Sequence, residues 1–134
     1  MYAAVIPRFV MALLNGRAPE IYGTGEQTRD FTFIDNVIAG NMLAATAPKD
    51  KVAGEVFNLA AGGQTSLNQL IDILQELTGV SIMPDYQPAR TGDILHSTAD
   101  IGKARSMMGY EPRISLLEGV RQTIEWYRVQ KSND

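Results

Sequence analysis

Apolar positions recur at helical spacing in several stretches, and shorter alternating runs lie between them. Val5, Phe9, Val10, Leu13 and Leu14 fall near every third or fourth residue, and Gly16 follows. The spacing predicts a helix over residues 2–15, with Pro7 in the first turn, where its missing N–H costs least, and a glycine at the stop. Residues 19–22 read as a short strand ending at Gly23. Phe31 and Phe33 alternate with Thr32, so residues 30–34 predict a strand with one covered face. Asp35 or Asn36 is placed to cap a helix that runs to about residue 47, where Pro48 stops it. Residues 49–54 are a polar loop, and 56–60 a short apolar strand closed by Gly62 and Gly63.

The clearest helix comes next. Ser66 and Gln69 have capping-box spacing, Leu67, Leu70, Ile71, Leu74 and Leu77 share one face, and Gly79 ends the run. Residues 80–86 predict a strand, and 87–98 a polar loop. Asp100 is placed to cap a short helix over 101–108, closed by Gly109 with Pro112 beyond. Ser115 and Glu118 form a second capping-box pattern, opening a last helix whose face is Leu117, Val120, Ile124 and Tyr127. The reading is a single α/β unit over residues 1–134, a small mixed sheet with about five helices and no repeat or linker. Strands so few and short do not make a self-sufficient sheet, so some apolar faces should need a further layer.

Composition narrows the chemistry. The chain has 134 residues, is 45% hydrophobic, and carries a net charge of -3. That balance lacks the clustered basic face of a nucleic-acid binder. No run of about 18 apolar residues is present, and Pro7 and Arg8 interrupt the apolar start, so neither a membrane span nor a leader is expected. There is no cysteine, which excludes disulfides and thiolate catalysis and makes the cytoplasm the default compartment. The single histidine, His96, rules out a multi-histidine metal centre, and with Asp93 it supplies too few ligands for a dedicated site.

Two arginines stand out. Arg29 lies at the lip of the strand predicted over 30–34, and Arg90 lies in the loop Pro-Ala-Arg-Thr-Gly-Asp of residues 88–93. Guanidinium groups in separate loops can clamp a phosphate, because each presents a planar fork of donors, and an acid such as Asp93 can accept from sugar hydroxyls. The same residues also read as a solvated arginine, or as one paired with Asp30 or Asp93.

The run YGTGEQTRDFTFIDNV, then GEVFNLAAGGQTSLNQL, PARTGDILHSTADIGKARSMMGYEP and LLEGVRQTIEWY, resembles in that order the C-terminal half of the extended short-chain dehydrogenase/reductases. The closest likeness is to NAD-dependent sugar-nucleotide epimerase/dehydratases of the UDP-glucose 4-epimerase kind. The resemblance implies that Ala4 and Val5 lie near the base and that Ile21 and Tyr22 run along the nucleotide. It also implies that Arg29 and Arg90 bind the diphosphate and that Asp93 meets the ribose. It implies a nucleotide-sugar ligand, with a UDP-hexose favoured, and NAD as the cofactor of the full-length enzymes.

The family's own catalytic parts are missing from these residues. No glycine-rich strand-to-helix turn for a dinucleotide is present: Gly23 and Gly25 precede a strand, and Gly62-Gly63 stands alone. The one Tyr-x-x-x-Lys match, Tyr127 to Lys131, puts its tyrosine on the apolar seam of the last helix and reads as packing. The expectation is therefore a substrate-side portion with no catalytic or cofactor residues of its own, inactive alone. Residues 36–60 would normally complete the NAD-binding domain, which leaves faces including Val37, Ile38, Phe57 and Leu59 uncovered. Self-association or docking on the Rossmann half follows. The alternative is a stand-alone, non-catalytic module that binds a nucleotide sugar or a protein.

Overall fold

The computed structural model describes residues 4–132. Positions 2 and 3 of the first expected helix therefore lie outside the described residues. Helix α1 (Val5–Leu14) carries Pro7 in its first turn and buries Phe9, Val10 and Leu13. Gly16 ends it at φ 64°, a left-handed conformation that glycine adopts without a Cβ penalty. Strand β1 (Glu20–Tyr22) follows, then β2 (Thr28–Arg29), α2 (Ile34–Thr46) and the single turn α3 (Lys49–Val52). After β3 (Thr65–Ser66) come α4 (Leu67–Thr78), β4 (Asp85–Gln87), β5 (His96–Ser97), α5 (Gly102–Met108) and α6 (Leu116–Ser132).

The α/β class holds, but the expected single sheet is two. Strands β1 and β4 pair in parallel, with Ile21 opposite Tyr86. The other sheet has the order β3-β2-β5, with β2 antiparallel to β3 and parallel to β5. Two hydrophobic clusters sit beside them. In the first, Phe9, Val10 and Leu13 of α1 meet Ile21, Leu67, Leu70, Ile71 and Leu74, and Val120 and Ile124 of α6. Burying each large side chain there contributes about 1.5–3 kcal/mol. The second joins Ala60, Ile101, Ala104, Met108 and Tyr110, with Leu43, Ala44, Val52, Phe57 and Leu59 packed against it.

Three expected strands change, each because side chains or proline take over the ladder. Residues 30–34 are not a strand, since the pairing stops at Arg29. Beyond it the Asp30 carboxylate accepts from the N–H groups of Ala61 and Gly62 at 3.1 and 3.0 Å, and Thr32 Oγ1 accepts from Ala61 N at 3.1 Å. Residues 56–60 form no strand, and none pairs with them among the described residues. Side chains reach into this segment instead: Lys103 Nζ donates to Val56 O, and Asn58 Nδ2 reaches out to Asp100 O. The strand expected over 80–86 begins only at Asp85, just past Pro84, which has no N–H to give. Within the loop expected over 87–98, His96 and Ser97 join the second sheet.

Helix starts were read with mixed success. The capping box of Ser66 and Gln69 is complete, and Gly79 closes α4 at φ 73°. Helix α2 begins at Ile34, with Phe33 at the cap and no side-chain bond there, so neither Asp35 nor Asn36 caps it. Asp35 lies in the first turn, where a carboxylate complements the helix dipole. Asn36 is buried and bridges to the approach of α6. On α6 the packed face uses Leu116 rather than Leu117, which is 41% exposed. Both positions keep helical spacing with Val120 and Ile124, and the close approach of Phe33 at Gly119 selects Leu116.

Candidate functional site

The segments that carry Tyr22, Arg29 and the 88–95 loop converge because β1 and β2 are joined by the short loop 23–27. β4 pairs with β1 and β5 with β2, so the chain between β4 and β5 must cross from one sheet to the other. That crossing turns at residues 90–93, where Asp93 N donates to Arg90 O at 3.2 Å and Gly92 takes φ 82°. A positive φ at the third residue is the requirement of a type II turn.

Both ends of this turn are fastened. Arg29 donates from one terminal nitrogen to Asp93 Oδ1 at 3.1 Å, and from the other to Thr28 O at 2.8 Å and Leu95 O at 3.4 Å. The Arg90 guanidinium lies 3.6 Å from the centre of the Tyr22 ring. Arg8, one turn into α1, lies 5.8 Å from the same ring and pairs with Glu20 at 3.1 Å. Tyr22, Arg29, Arg90 and Asp93 are thus brought together, with Arg29 paired as the bland reading of Asp93 allowed. Arg8 was not singled out in the sequence. Its signal was available: it stands one turn beyond Ala4 on the predicted helix.

The Arg29–Asp93 pair is partly solvated, with side chains 28% and 39% exposed. Such a pair contributes about 0–1 kcal/mol. An incoming dianion therefore displaces little when it takes the guanidinium, and a charge-assisted contact is roughly twice as strong as a neutral hydrogen bond. The arrangement is suited to exchanging an internal carboxylate for an external anion.

Ala4 and Val5 lie elsewhere, at the N-terminal end of α1. They line an apolar cavity of about 390 Å³ with Ile6, Pro7, residues 30–34 and the start of α6. Ile21 is fully buried in the first core cluster, so only its backbone is available to a ligand. Across the second sheet, His96 Nδ1 shares a hydrogen bond of 2.9 Å with Thr28 Oγ1. Among the described residues no group of three or more metal-capable side chains comes together.

Two of the glycines, Gly25 and Gly62, are too closely packed to cradle a dinucleotide pyrophosphate. Gly62 faces inward, where an added Cβ would come within 3.0 Å of the Ile101 side chain, and Gly25 faces the Asn68 amide. Neither leaves the open backbone cradle that such a ligand needs. Tyr127 stacks edge-on with Trp126 at 4.9 Å, and Lys131 Nζ donates to Leu14 O at 2.7 Å, at the end of α1. Lysine and tyrosine thus serve packing and helix termination.

Comparison with known proteins adds the following. The model of the NAD dependent epimerase/dehydratase family matches residues 2–60. The UDP-glucose 4-epimerase of Mycolicibacterium smegmatis is 35% identical over 126 residues, which are 94% of this chain and 39% of that protein. The UDP-glucose 4-epimerase of Thermotoga maritima, solved with UDP-glucose, superposes with a TM-score of 0.90 at 37% identity, covering 98% of this chain and 41% of that one. The UDP-glucuronic acid 4-epimerase of Bacillus cereus, solved with UDP-glucuronic acid and NAD, gives 0.88 at 30% identity, covering 95% and 40%. The chain spans about two fifths of the length of these relatives.

Proposed function

We propose, from the premise that this chain belongs to the NAD-dependent epimerase/dehydratase family as the C-terminal part of an extended short-chain dehydrogenase/reductase, that it holds the nucleotide end of a nucleotide sugar. The ligand is a UDP-hexose and the parent reaction a 4-epimerisation. Arg29 and Arg90 take the diphosphate, Asp93 the ribose, Ala4 and Val5 the base, and Tyr22 with the Ile21 backbone the length of the nucleotide. The observation that carries this reading is the convergence of Tyr22, Arg29, Arg90 and Asp93 from separate segments onto one turn.

The chain does not turn over by itself, because neither a dinucleotide cradle nor a usable tyrosine–lysine pair is among its residues. Residues 36–60 belong with the NAD-binding half, which supplies the cofactor chemistry. Two features support that boundary. Leu43, Ala44, Val52, Phe57 and Leu59 pack in the second cluster, apart from the helices of the first. On α2, Ile34, Ile38 and Met42 form an outward stripe, 59%, 52% and 60% exposed. Ile34 and Met42 extend the uncovered face beyond Ile38, whereas Val37, Phe57 and Leu59 are half-buried. The missing half docks on this stripe, and in its absence two copies associate through it.

Titration calorimetry with UDP-glucose, UDP-N-acetylglucosamine and NAD tests the reading, with Arg29→Ala alongside. The expected result is binding of a UDP-sugar that weakens about tenfold or more in the variant, the loss of roughly one charge-assisted contact, and no binding of NAD. Binding of no UDP-sugar, or equal binding by Arg29→Ala, refutes it. Epimerisation by the purified chain would overturn the claim of inactivity.

A further inference from the structure

Loop 23–27 sets the separation of Tyr22 from Arg29, and its own residues hold it only in part, through Gln27 and a 3.4 Å bond from Glu26 N to Thr24 Oγ1. Gly23 and Gly25 take φ 84° and 80°, and glycine loses more conformational freedom on ordering than any other residue. Most of the fastening comes from outside and from one buried side chain. Gln27 donates its Nε2 to Tyr22 O at 2.6 Å, which ties the two ends of the loop. Backbone bonds fasten the loop's ends, Gly23 N to Gln87 O at 2.9 Å and Leu67 N to Gln27 O at 3.3 Å, and the middle is held by Asn68, in the first turn of α4. Its Nδ2 donates to Thr24 O at 3.1 Å and to Glu26 Oε1 at 2.6 Å. Its backbone N–H donates to Gly25 O at 3.1 Å. Its Oδ1 accepts from the Tyr86 hydroxyl at 2.9 Å. A Cβ at Gly25 would overlap the Asn68 amide, so that amide lies directly against the loop backbone.

We infer that Asn68 is a positioning residue for the nucleotide-sugar site, pinning loop 23–27 to α4 and, through Tyr86, to β4. It thereby fixes Tyr22 relative to Arg29 and to the 90–93 turn. The inference rests on the reading above that Tyr22 and Arg29 meet the ligand. Its physical content is prepaid order. The side-chain bonds are solvated at their edges and add little to global stability, but a loop already held does not have to be ordered when the ligand arrives. Loss of the pin is felt in affinity and in local opening before it is felt in unfolding.

The test uses the whole chain as Asn68→Ala and Tyr86→Phe, with Asn36→Ala, whose side chain bonds to residues 113 and 114 rather than to the loop, as a destabilised control. Amide hydrogen exchange over residues 24–29 and calorimetric binding of UDP are the readouts. Asn68→Ala is expected to speed exchange in 24–29 by about tenfold, with α4 and α6 unchanged, and to weaken UDP by about tenfold. Tyr86→Phe moves both in the same direction by less. Combining Asn68→Ala with Arg29→Ala gives a loss smaller than the sum, because the two act through one contact. Asn36→Ala lowers the melting temperature and leaves UDP affinity in place. Unchanged exchange in 24–29, acceleration spread over the whole chain, or faster exchange with undiminished UDP affinity would each overturn the inference. Failure of the unaltered chain to bind UDP refutes the site reading instead, and the exchange data still decide whether Asn68 pins the loop.

Discussion

Replacing Asn36 with alanine separates two roles that the sequence leaves open at this position. As a helix cap, Asn36 would accept one hydrogen bond, its loss would cost about 1 kcal/mol, and aspartate would serve as well. The structure gives it another task. Only 2% exposed, its Nδ2 donates to Ile114 O at 2.8 Å, and its Oδ1 accepts from the N–H groups of Arg113 and Ile114 at 2.9 and 3.0 Å. These bonds tie α2, which leans on the second cluster, to the segment that launches α6 into the first. Alanine strands three partners at once. At about 1 kcal/mol for each bond lost, the penalty is about 3 kcal/mol. For a chain of this size that lowers the melting temperature by about 10 °C. Aspartate keeps both acceptor contacts and loses the donor, setting a carboxylate against Ile114 O, so it falls between at about 1–2 kcal/mol. Urea unfolding with linear extrapolation reads all three proteins, with the slope expected to stay constant. A cost below about 1 kcal/mol for alanine, or an aspartate variant as stable as the parent, refutes the bridging role.

Other consequences are smaller or more local. Gly25→Ala combines a left-handed backbone with overlap on Asn68, and should cost more than about 1 kcal/mol in urea unfolding; a neutral substitution would contradict the loop geometry. Tyr110 is buried and donates to Ala60 O at 2.9 Å, and burial, then the Asp30 charge, raises its pKa. Its folded value lies above the unfolded one, so its contribution is full below about pH 10 and is lost as pH rises through the folded value. The stability gap between the parent and Tyr110→Phe should therefore hold steady up to about pH 10 and narrow above it, and a gap that stays constant above about pH 10 would be inconsistent with it. Hydrogen bonds from Gln122 and then Arg121 lower the Glu118 pKa, so its contribution is present above the unfolded value and fades as pH falls through the folded one. Glu118→Gln should flatten the acid limb of the stability curve. Ile38→Lys with Met42→Lys should abolish concentration-dependent sedimentation and apolar dye binding; a parent chain that is monomeric and binds no dye would remove the docking stripe from the account.

What the sequence made legible was whatever depends on local chemistry. The Ser66–Gln69 box, the glycine stops at 16, 79 and 109, and the buried faces of α1 and α4 follow from spacing and backbone freedom alone, and all are present. The strand expected over 80–86 overlooked Pro84, which the sequence shows, but most of the other errors come from a choice that local pattern does not contain. Leu116 and Leu117 both complete a helical stripe, and the neighbour across Gly119 decides between them. Phe31 and Phe33 alternate as in a strand, but past Asp30, whose N–H still donates to Ser97 O at 3.1 Å, no strand pairs with the segment among the described residues, and the Asp30 and Thr32 side chains accept from Ala61 and Gly62 instead. At the candidate site, Arg29, Arg90 and Asp93 were visible as residue types in loops. Their meeting was not, because it depends on β4 pairing with β1 and β5 with β2 across long stretches of sequence.

The same crossing explains why the site's charges sit where they do. A turn that bridges two small sheets has no ladder of its own and must be held by side chains. Here one end is held by the Arg29–Asp93 pair and the other by Arg90 on Tyr22. On the reading proposed above, an anionic nucleotide competes for both fastenings, its phosphates drawing the Arg29 and Arg90 guanidinium groups. A turn whose anchors are also its ligand groups stays ordered without ligand and yields them at small cost, since the ion pair contributes only about 0–1 kcal/mol. A buried, fully satisfied clamp would have been stiffer and would have bound an anion less readily, because breaking a desolvated pair costs about 3–5 kcal/mol. Partial exposure of Arg29 and Asp93 is thus what suits this turn to ligand exchange.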